Sequence, residues 1–224
     1  MAKAQPNVDP MANRPNYVPA KDIQVPVSDD NQFPQLKLAQ AISPEVTRGD
    51  EKFVPNLSAG DLLMKGAGLQ RIIDGEEGLQ VIPMAVRKSY VEYKPRSTGG
   101  GFVAAYNSRE EAETKSDRAN ELQVTYDFLC IEANVEEPTP FVVRFDSPTK
   151  LGVAKKWAGY FAQYKSIEGV IYRITSKAAK NKAGQNYFNL AVTPLGWVDK
   201  TQFQFVQQLQ SVIEPTFLPE TTEI

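Results

Sequence analysis

Residues 140–213 read PFVVRFDSPTKLGVAKKWAGYFAQYKSIEGVIYRITSKAAKNKAGQNYFNLAVTPLGWVDKTQFQFVQQLQSVI. The apolar spacing in this stretch switches between the strand and helix periods, and the order of the switches decides the fold. It predicts a strand at Phe141–Phe145, a helix at Pro148–Gln163 and a strand at Val170–Ser176. A turn at Lys177–Gly184, a strand at Gln185–Leu195 and a helix at Thr201–Ile213 follow. Ser147 is a natural N-cap with Pro148 at the first helical position. Leu151, Ala154, Trp157, Ala158 and Phe161 then share one helical stripe, which makes Trp157 and Phe161 core anchors. Phe203, Val206, Leu209 and Ile213 repeat the spacing and pack the last helix onto a sheet. Strands in sequence order with helices between and after them make the class α+β, mainly β.

The same stretch carries a charge anomaly. From Lys150 to Lys182, the cations Lys150, Lys155, Lys156, Lys165, Arg173, Lys177, Lys180 and Lys182 face the single acid Glu168. Trp157, Tyr160, Phe161, Tyr164, Tyr172, Tyr187 and Phe188 are interleaved with them. Cations neutralise phosphates and flat rings stack on unpaired bases, so this pattern suggests binding of a nucleic-acid strand rather than catalysis. The segment before it has the opposite sign: Glu110, Glu111, Glu113, Asp117, Glu121, Asp127, Glu132, Glu136 and Glu137 are opposed only by Arg109, Lys115 and Arg118. A net charge of -2 therefore hides an acidic block followed by a basic one, and local sign is what a polyanion meets.

Upstream, Leu79–Tyr93 is a long strand pattern, and Phe102–Tyr106 returns as a hairpin partner across a loop with Arg96 and Gly99-Gly100-Gly101. Lys88, Tyr90, Glu92 and Lys94 share one face of it, with Arg87, Val91 and Tyr93 on the other. Arg87, Lys88, Tyr90, Tyr93, Lys94 and Arg96 are accordingly a second candidate set for a nucleic-acid groove; the bland alternative is a hairpin with one solvated face. Ser108–Glu121 reads as a loop or short exposed helix. Leu122–Ala133 is a half-buried strand in which Leu122, Val124, Tyr126, Phe128 and Cys130 turn inward and Gln123, Thr125 and Asp127 face water. Leu36–Ile42 predicts a short helix, and Phe53–Leu63 a partly buried loop. Gly66 and Gly68 lack the strand-then-helix setting of a dinucleotide site.

These readings divide the chain into a proline-rich extended arm (1–34), one nucleic-acid-binding domain (35–213) and an acidic tail (214–224) carrying Glu214, Glu220 and Glu223. Tyr17, Val25 and Phe33 give the arm apolar points with which to dock on a neighbour, so a homo-oligomer is one expectation. The tail offers a site for replication or recombination proteins. Absence of histidine removes Ser-His-Asp and Cys-His catalysis, and the lone Cys130 removes disulfide frameworks and cysteine-rich zinc sites. No enzyme, cofactor or metal is expected. No stretch approaches the roughly 20 apolar residues of a membrane span, and Met1–Asp9 has no signal-peptide centre, so the cytoplasm is the expected location.

Ser147-Pro148-Thr149-Lys150, Lys155-Lys156-Trp157, Tyr172-Arg173-Ile174-Thr175, Asn181 through Tyr187 and Gly196-Trp197 together resemble tailed-bacteriophage proteins. Ile82-Pro83, Tyr90-Val91-Glu92-Tyr93 and Gly99-Gly100-Gly101 are similar to the same group, over residues 60–213. Some of its members are regarded as single-stranded-DNA-binding replication proteins with an OB-like barrel. The resemblance implies a five-stranded, partly open antiparallel barrel with an inserted and a C-terminal helix, whose strand face and loops hold single-stranded DNA in the host cytoplasm. On that reading Lys150, Lys156, Arg173, Lys177, Lys180 and Lys182, with the hairpin cations, track phosphate. Tyr90, Tyr93, Tyr160, Tyr172 and Tyr187 meet the strand, and all of these groups converge on one concave sheet surface. A virion structural or assembly protein using the arm for subunit contacts is the alternative.

Overall fold

The computed structural model describes residues 11, 33–181 and 184–217. Its elements are β1 (Gln35–Leu38), β2 (Leu62–Gly66), β3 (Leu69–Ile73), β4 (Leu79–Tyr93), β5 (Phe102–Tyr106), α1 (Arg109–Lys115), β6 (Glu121–Glu132), β7 (Phe141–Phe145), α2 (Pro148–Tyr164), β8 (Val170–Lys180), β9 (Asn186–Trp197) and α3 (Lys200–Phe217). All nine strands join one sheet in the order β3-β2-β1-β7-β6-β4-β8-β9, with β5 added beside β4. The sheet curls into an open half-barrel, and the fold is α+β, mainly β and OB-like.

Several details depart from expectation, among them β8, which runs on to Lys180 through the turn expected at Lys177–Gly184. The sheet has nine strands rather than five, and β1 runs parallel to β7 through Gln35↔Val142 and Leu36↔Val143. Residues 36–42 do not form a helix. Their apolar run is too short to fix a period, and pairing with β2 and β7 makes its first half a strand. The last helix extends past Ile213 to Phe217, so Glu214 belongs to α3 and not to a tail. Apart from Met11, Phe33 and Pro34, the arm lies outside the described residues, as do residues 218–224.

β4 is the axis of the sheet. It pairs with β6 along its length, with β8 at Leu79–Val81 and with β5 at Tyr90–Tyr93. Pro83, which has no N–H to give a ladder, sits at the register break opposite β6, where a bulge tolerates it. The curl brings the far end of β1 to the outer strand. Gln40 Nε2 donates to the Phe188 carbonyl at 2.9 Å and Gln40 Oε1 accepts from the Phe188 N–H at 2.9 Å, so one side-chain amide acts as a short strand against β9. Gly60 lies under the Phe188 ring at φ +101, and a Cβ there would stand 2.8 Å from the ring. Only glycine fits that conformation and that gap.

Both faces of the sheet are covered. On the inner face, α2 lowers Trp157 onto Phe128, with ring centroids 4.4 Å apart and planes within 5°. Phe145, Phe161 and Tyr172 close around the pair. Apolar side chains from β1, β2, β7, β8 and β9 complete this core. On the outer face, Phe203, Val206, Leu209, Ile213 and Phe217 of α3 pack on Ile82, Met84, Leu129, Ile131 and Val142. Each such side chain withdrawn from water contributes about 1.5–3 kcal/mol.

The second layer overturns the expectation that Thr125 and Asp127 face water. Both are buried, at 1% and 0% exposure, and α3 covers the Asp127 end of this face, where its Phe217 carbonyl accepts from Arg87 beside the carboxylate. Register places Arg87, Asp127 and Arg144 side by side on β4, β6 and β7. Arg144 grips the carboxylate in bidentate fashion at 2.7 and 2.9 Å, and Arg87 Nη2 donates to it at 2.8 Å. That shared hydrogen-bonded carboxylate raises the Arg144 pKa. Burial of the charge is tolerated because all of its partners are cross-strand neighbours already held in place.

Candidate nucleic-acid interface

The structure sorts the fifteen sequence-predicted residues into a groove, an arm and a core. The groove lies between the N-terminal half of α2 and the edge strand β9. One hollow of about 460 Å³ is lined by Lys150, Tyr187, Asn181, Gln185, Asn186 and Phe188, with Gln40, Ala41 and Ile42 on its far wall. A second, of about 380 Å³, is lined by Lys156 and Lys177 with Gly152, Val153 and the β9 residues from Asn189 to Thr193. Asn189 borders both, so the hollows run on from one another along β9.

Each groove residue is placed by its local structure. Lys150 and Lys156 lie off the buried Ala154–Trp157–Phe161 stripe of α2, so the core sets where they point. Gly152 has nothing within 4 Å of a virtual Cβ, and this bare patch of helix keeps the groove open toward β9. Lys177 pairs with Asn189 and Tyr187 with Ala179 across the β8–β9 ladder, which puts all four on one face of the hairpin. Tyr187 is half-buried and has no aromatic partner among the described residues. Lys180 stands exposed near the hairpin tip, and Lys182 lies outside the described residues. Among the described residues, the one acid paired with a groove lysine is Asp146, 2.8 Å from Lys150 Nζ and four residues before it. Lys156 Nζ sits 5.7 Å from the Tyr160 ring centroid. The wall is thus cationic, with amides and one ring between the charges.

The arm is the distal half of β4 with β5, α1 and the start of β6. Lys88 and Lys94 are exposed, Tyr90 and Tyr93 half-buried. Lys88 Nζ lies 5.2 Å over the Tyr90 ring, and its hydrogen bond with that tyrosine raises its pKa. Tyr93 is on the opposite face and meets Phe102 edge-on at 6.4 Å. The Arg96 backbone forms a short 3-10 turn, and its side chain lies outside the description. β4 and β8 are antiparallel and touch only at Leu79–Val81 against Tyr172–Ile174, so the two hairpins leave that junction in opposite strand directions. The expected convergence of both on one concave surface does not occur. That inner surface is filled by α2 and its aromatic core.

One candidate is a core residue and another is locked into an ion pair. Tyr172 is 0% exposed, packed against Trp157, Phe161 and Tyr160, and burial drives its hydroxyl pKa up. A ring in that position cannot stack on a base. Tyr172 shares its strand face with Val170 and Ile174, and that alternation was the signal for burial. Arg87 is committed to Asp127 and to the Phe217 carbonyl at the end of α3. Tyr160 is built into the wall, stacked on Tyr164 at 5.9 Å and 15°. Arg173 is exposed, shares the strand face of Lys177 and pairs with Thr193 at the end of the second hollow, but lines neither hollow itself. Sequence reasoning missed Gln40, Asn186 and Asn189. The Asn189 alternation with Leu190 placed it outward, but nothing near Gln40 foretells a partner 148 residues away.

A third hollow, of about 200 Å³, lies between α3 and the β6–β7 connection, lined by Ile82, Ile131, Val135 and Phe205 with Glu132 and Glu136. Its acids make it unsuited to a polyanion. Among the described residues no three carboxylate or sulfur ligands converge as for a metal, and no helix is long and apolar enough to cross a membrane.

The architecture defines an OB-like α+β half-barrel whose open chemistry is a cationic groove beside an edge strand. The chain belongs to the Pam3 phage gp34-like protein family, whose model matches residues 25–216, and so to a family of phage proteins. No curated protein and no solved structure matches it.

Proposed function

We propose that this protein is a binder, not an enzyme, and that it holds single-stranded DNA without strict sequence preference during phage replication or recombination in the host cytoplasm. One observation carries the reading: Lys150, Lys156, Lys177 and Tyr187, drawn from α2, β8 and β9, line two neighbouring hollows that share Asn189. Three ammonium groups, of which only Lys150 is paired with a carboxylate among the described residues, suit a chain of phosphates, each contact releasing condensed counterions. The Tyr187 ring is available to a base, and the exposed Asn186 amide carries both a donor and an acceptor, which favours sequence tolerance. No cofactor enters this scheme. The groove replaces the concave sheet face as the proposed binding surface, and Lys180 and Lys182 extend it at the hairpin tip.

Fluorescence anisotropy with labelled oligonucleotides of several sequences, single-stranded and duplex, tests the reading at low and high salt. The expected result is binding to all single strands that weakens with salt, with a log–log slope near -2 for three phosphate contacts at about -0.7 each. K156E/K177E is expected to abolish binding, while K88E/K94E on the arm leaves it unchanged. Absence of salt-sensitive binding, or equal losses from the two pairs, would falsify the proposal.

A further inference from the structure

The sheet has three edge strands among the described residues, β3, β9 and β5, and they are not equally protected. A free edge offers unpaired N–H and C=O groups to any other strand, and proteins blunt it with charge, proline, a bulge or a cover. β3 carries exposed Gln70 and Arg71, the latter tied to Glu132. β9 carries Pro194 and is clamped at Phe188 by Gln40. β5 reads Phe102-Val103-Ala104-Ala105-Tyr106, with neither charge nor proline. Phe102 is 66% exposed and Val103 39%, and Leu122, also on the arm, is 38% exposed. An apolar patch around an unguarded edge marks an interaction surface.

We propose that β5 pairs antiparallel with β5 of a second copy of this chain, joining two sheets across a two-fold axis at Ala104. In that register Phe102 of each copy lies opposite Tyr106 of the other, and Val103 opposite Ala105. Small alanines at and beside the axis let the strands approach, and the exposed aromatic ring covers apolar surface on the partner. Charge selects the antiparallel direction and a like partner. The chain enters β5 from the basic Lys94–Arg96 turn and leaves it into the acidic start of α1. Within α1, Arg109 is spent on Glu113 and Lys115 on Glu111, so the exposed Glu110 is engaged by neither helix cation. Antiparallel pairing sets the basic end of one strand against the acidic end of the other at both ends. Parallel pairing would set like against like.

Light scattering on the full chain across a dilution series reads the result without nucleic acid, so it stands apart from the binding proposal. The expected mass is twice the 24.9 kDa chain at high concentration, falling toward one chain on dilution. V103K/A105K adds charge at two exposed positions and is expected to be monomeric, with an unchanged circular-dichroism spectrum. A104C supplies a second readout. Residues directly opposite in an antiparallel pair have Cα atoms about 4.5–5.5 Å apart, within disulfide reach. Mild oxidation is therefore expected to give a reducible dimer, while Cys130 stays buried and inert. A wild-type monomer at every concentration, a dimer that survives V103K/A105K, or no A104C cross-link overturns the proposal and assigns the edge to some other chain.

Discussion

The two halves of β4 belong to one strand and occupy different physical settings. Leu79 and Val81 face the α2 core while Ile82 and Met84 face α3, so this half is sealed on both sides. From Lys88 onward the strand has β5 and β6 beside it and only the seven-residue α1 for cover, and its buried interior includes the carboxylate of Glu92. Lysine and tyrosine occur in both settings with different consequences. On the arm Lys88 and Tyr90 satisfy one another. In the groove, Lys177 and Tyr187 share one face of the β8–β9 ladder and line separate hollows. On the proposed reading, binding capacity follows from which partners the fold withholds, more than from residue type.

If stability resides in the doubly covered half, truncation there should have the largest effect. Trp157→Ala removes the ring stacked on Phe128 and is expected to cost about 3–5 kcal/mol in chemical denaturation. Ala112→Gly, under the arm, should leave the global midpoint nearly unmoved. Equal effects would break the comparison. Asp127→Asn comes next. Removing one partner of a fully buried ion pair costs about 3–5 kcal/mol. Arg87 and Arg144 reach water, with 31% and 39% of their side chains exposed, so the expected loss is about 2 kcal/mol. The Arg87 contacts to Phe217 should loosen with it, read as faster amide exchange in the last turn of α3.

The strands from β4 to β9 were legible because long alternating runs with turn residues between them leave one period and one register. Leu79–Tyr93, Phe102–Tyr106 and Phe141–Phe145 have the bounds that their patterns predict. Trp157 and Phe161 declared themselves by helical spacing. What the chain could not declare locally depended on distant partners. β1 is a strand because β7, about 100 residues on, lies beside it. Asp127 is buried because α3 returns some 80 residues later. The site was half legible for the same reason: composition located the cations, but α2 decided that they line an edge groove and not the concave face.

The difference between groove and arm sharpens at the level of single rings. Tyr187→Ala is expected to weaken binding of a labelled single strand by about 1–2 kcal/mol, the size of a base–aromatic stack. Tyr90→Ala, whose ring already faces an ammonium, should change it by less than the error. A loss from Tyr90 equal to that from Tyr187 would show that the strand visits both places and that the groove alone is not the interface.

The smallest expected effect is local to the arm and depends on pH. Glu92 is 2% exposed and accepts from Asn120 Nδ2 at 2.6 Å, from the Tyr106 hydroxyl at 2.5 Å and from the Asp117 N–H at 2.9 Å. These bonds, the Asn120 amide foremost, hold its pKa below the ordinary 4.5, and the same contact with Tyr106 pushes that hydroxyl up to about 12. A carboxylate with a depressed folded pKa contributes stability in full above the unfolded value and loses it as pH falls through the folded one. A tyrosine with a raised folded pKa contributes below its ordinary 10 and loses that contribution as pH climbs through about 12. The arm should therefore open at both extremes while the body, held by apolar packing, does not. Amide exchange, corrected for the intrinsic rate, is expected to rise around Asp117–Asn120 below pH 4.5 in the wild type. In Glu92→Gln it should be raised already at neutral pH and flat on acidification, because glutamine cannot accept from all three donors and does not titrate. An acid response that survives the substitution would move the switch to another group and leave the arm's polar interior without the role given to it.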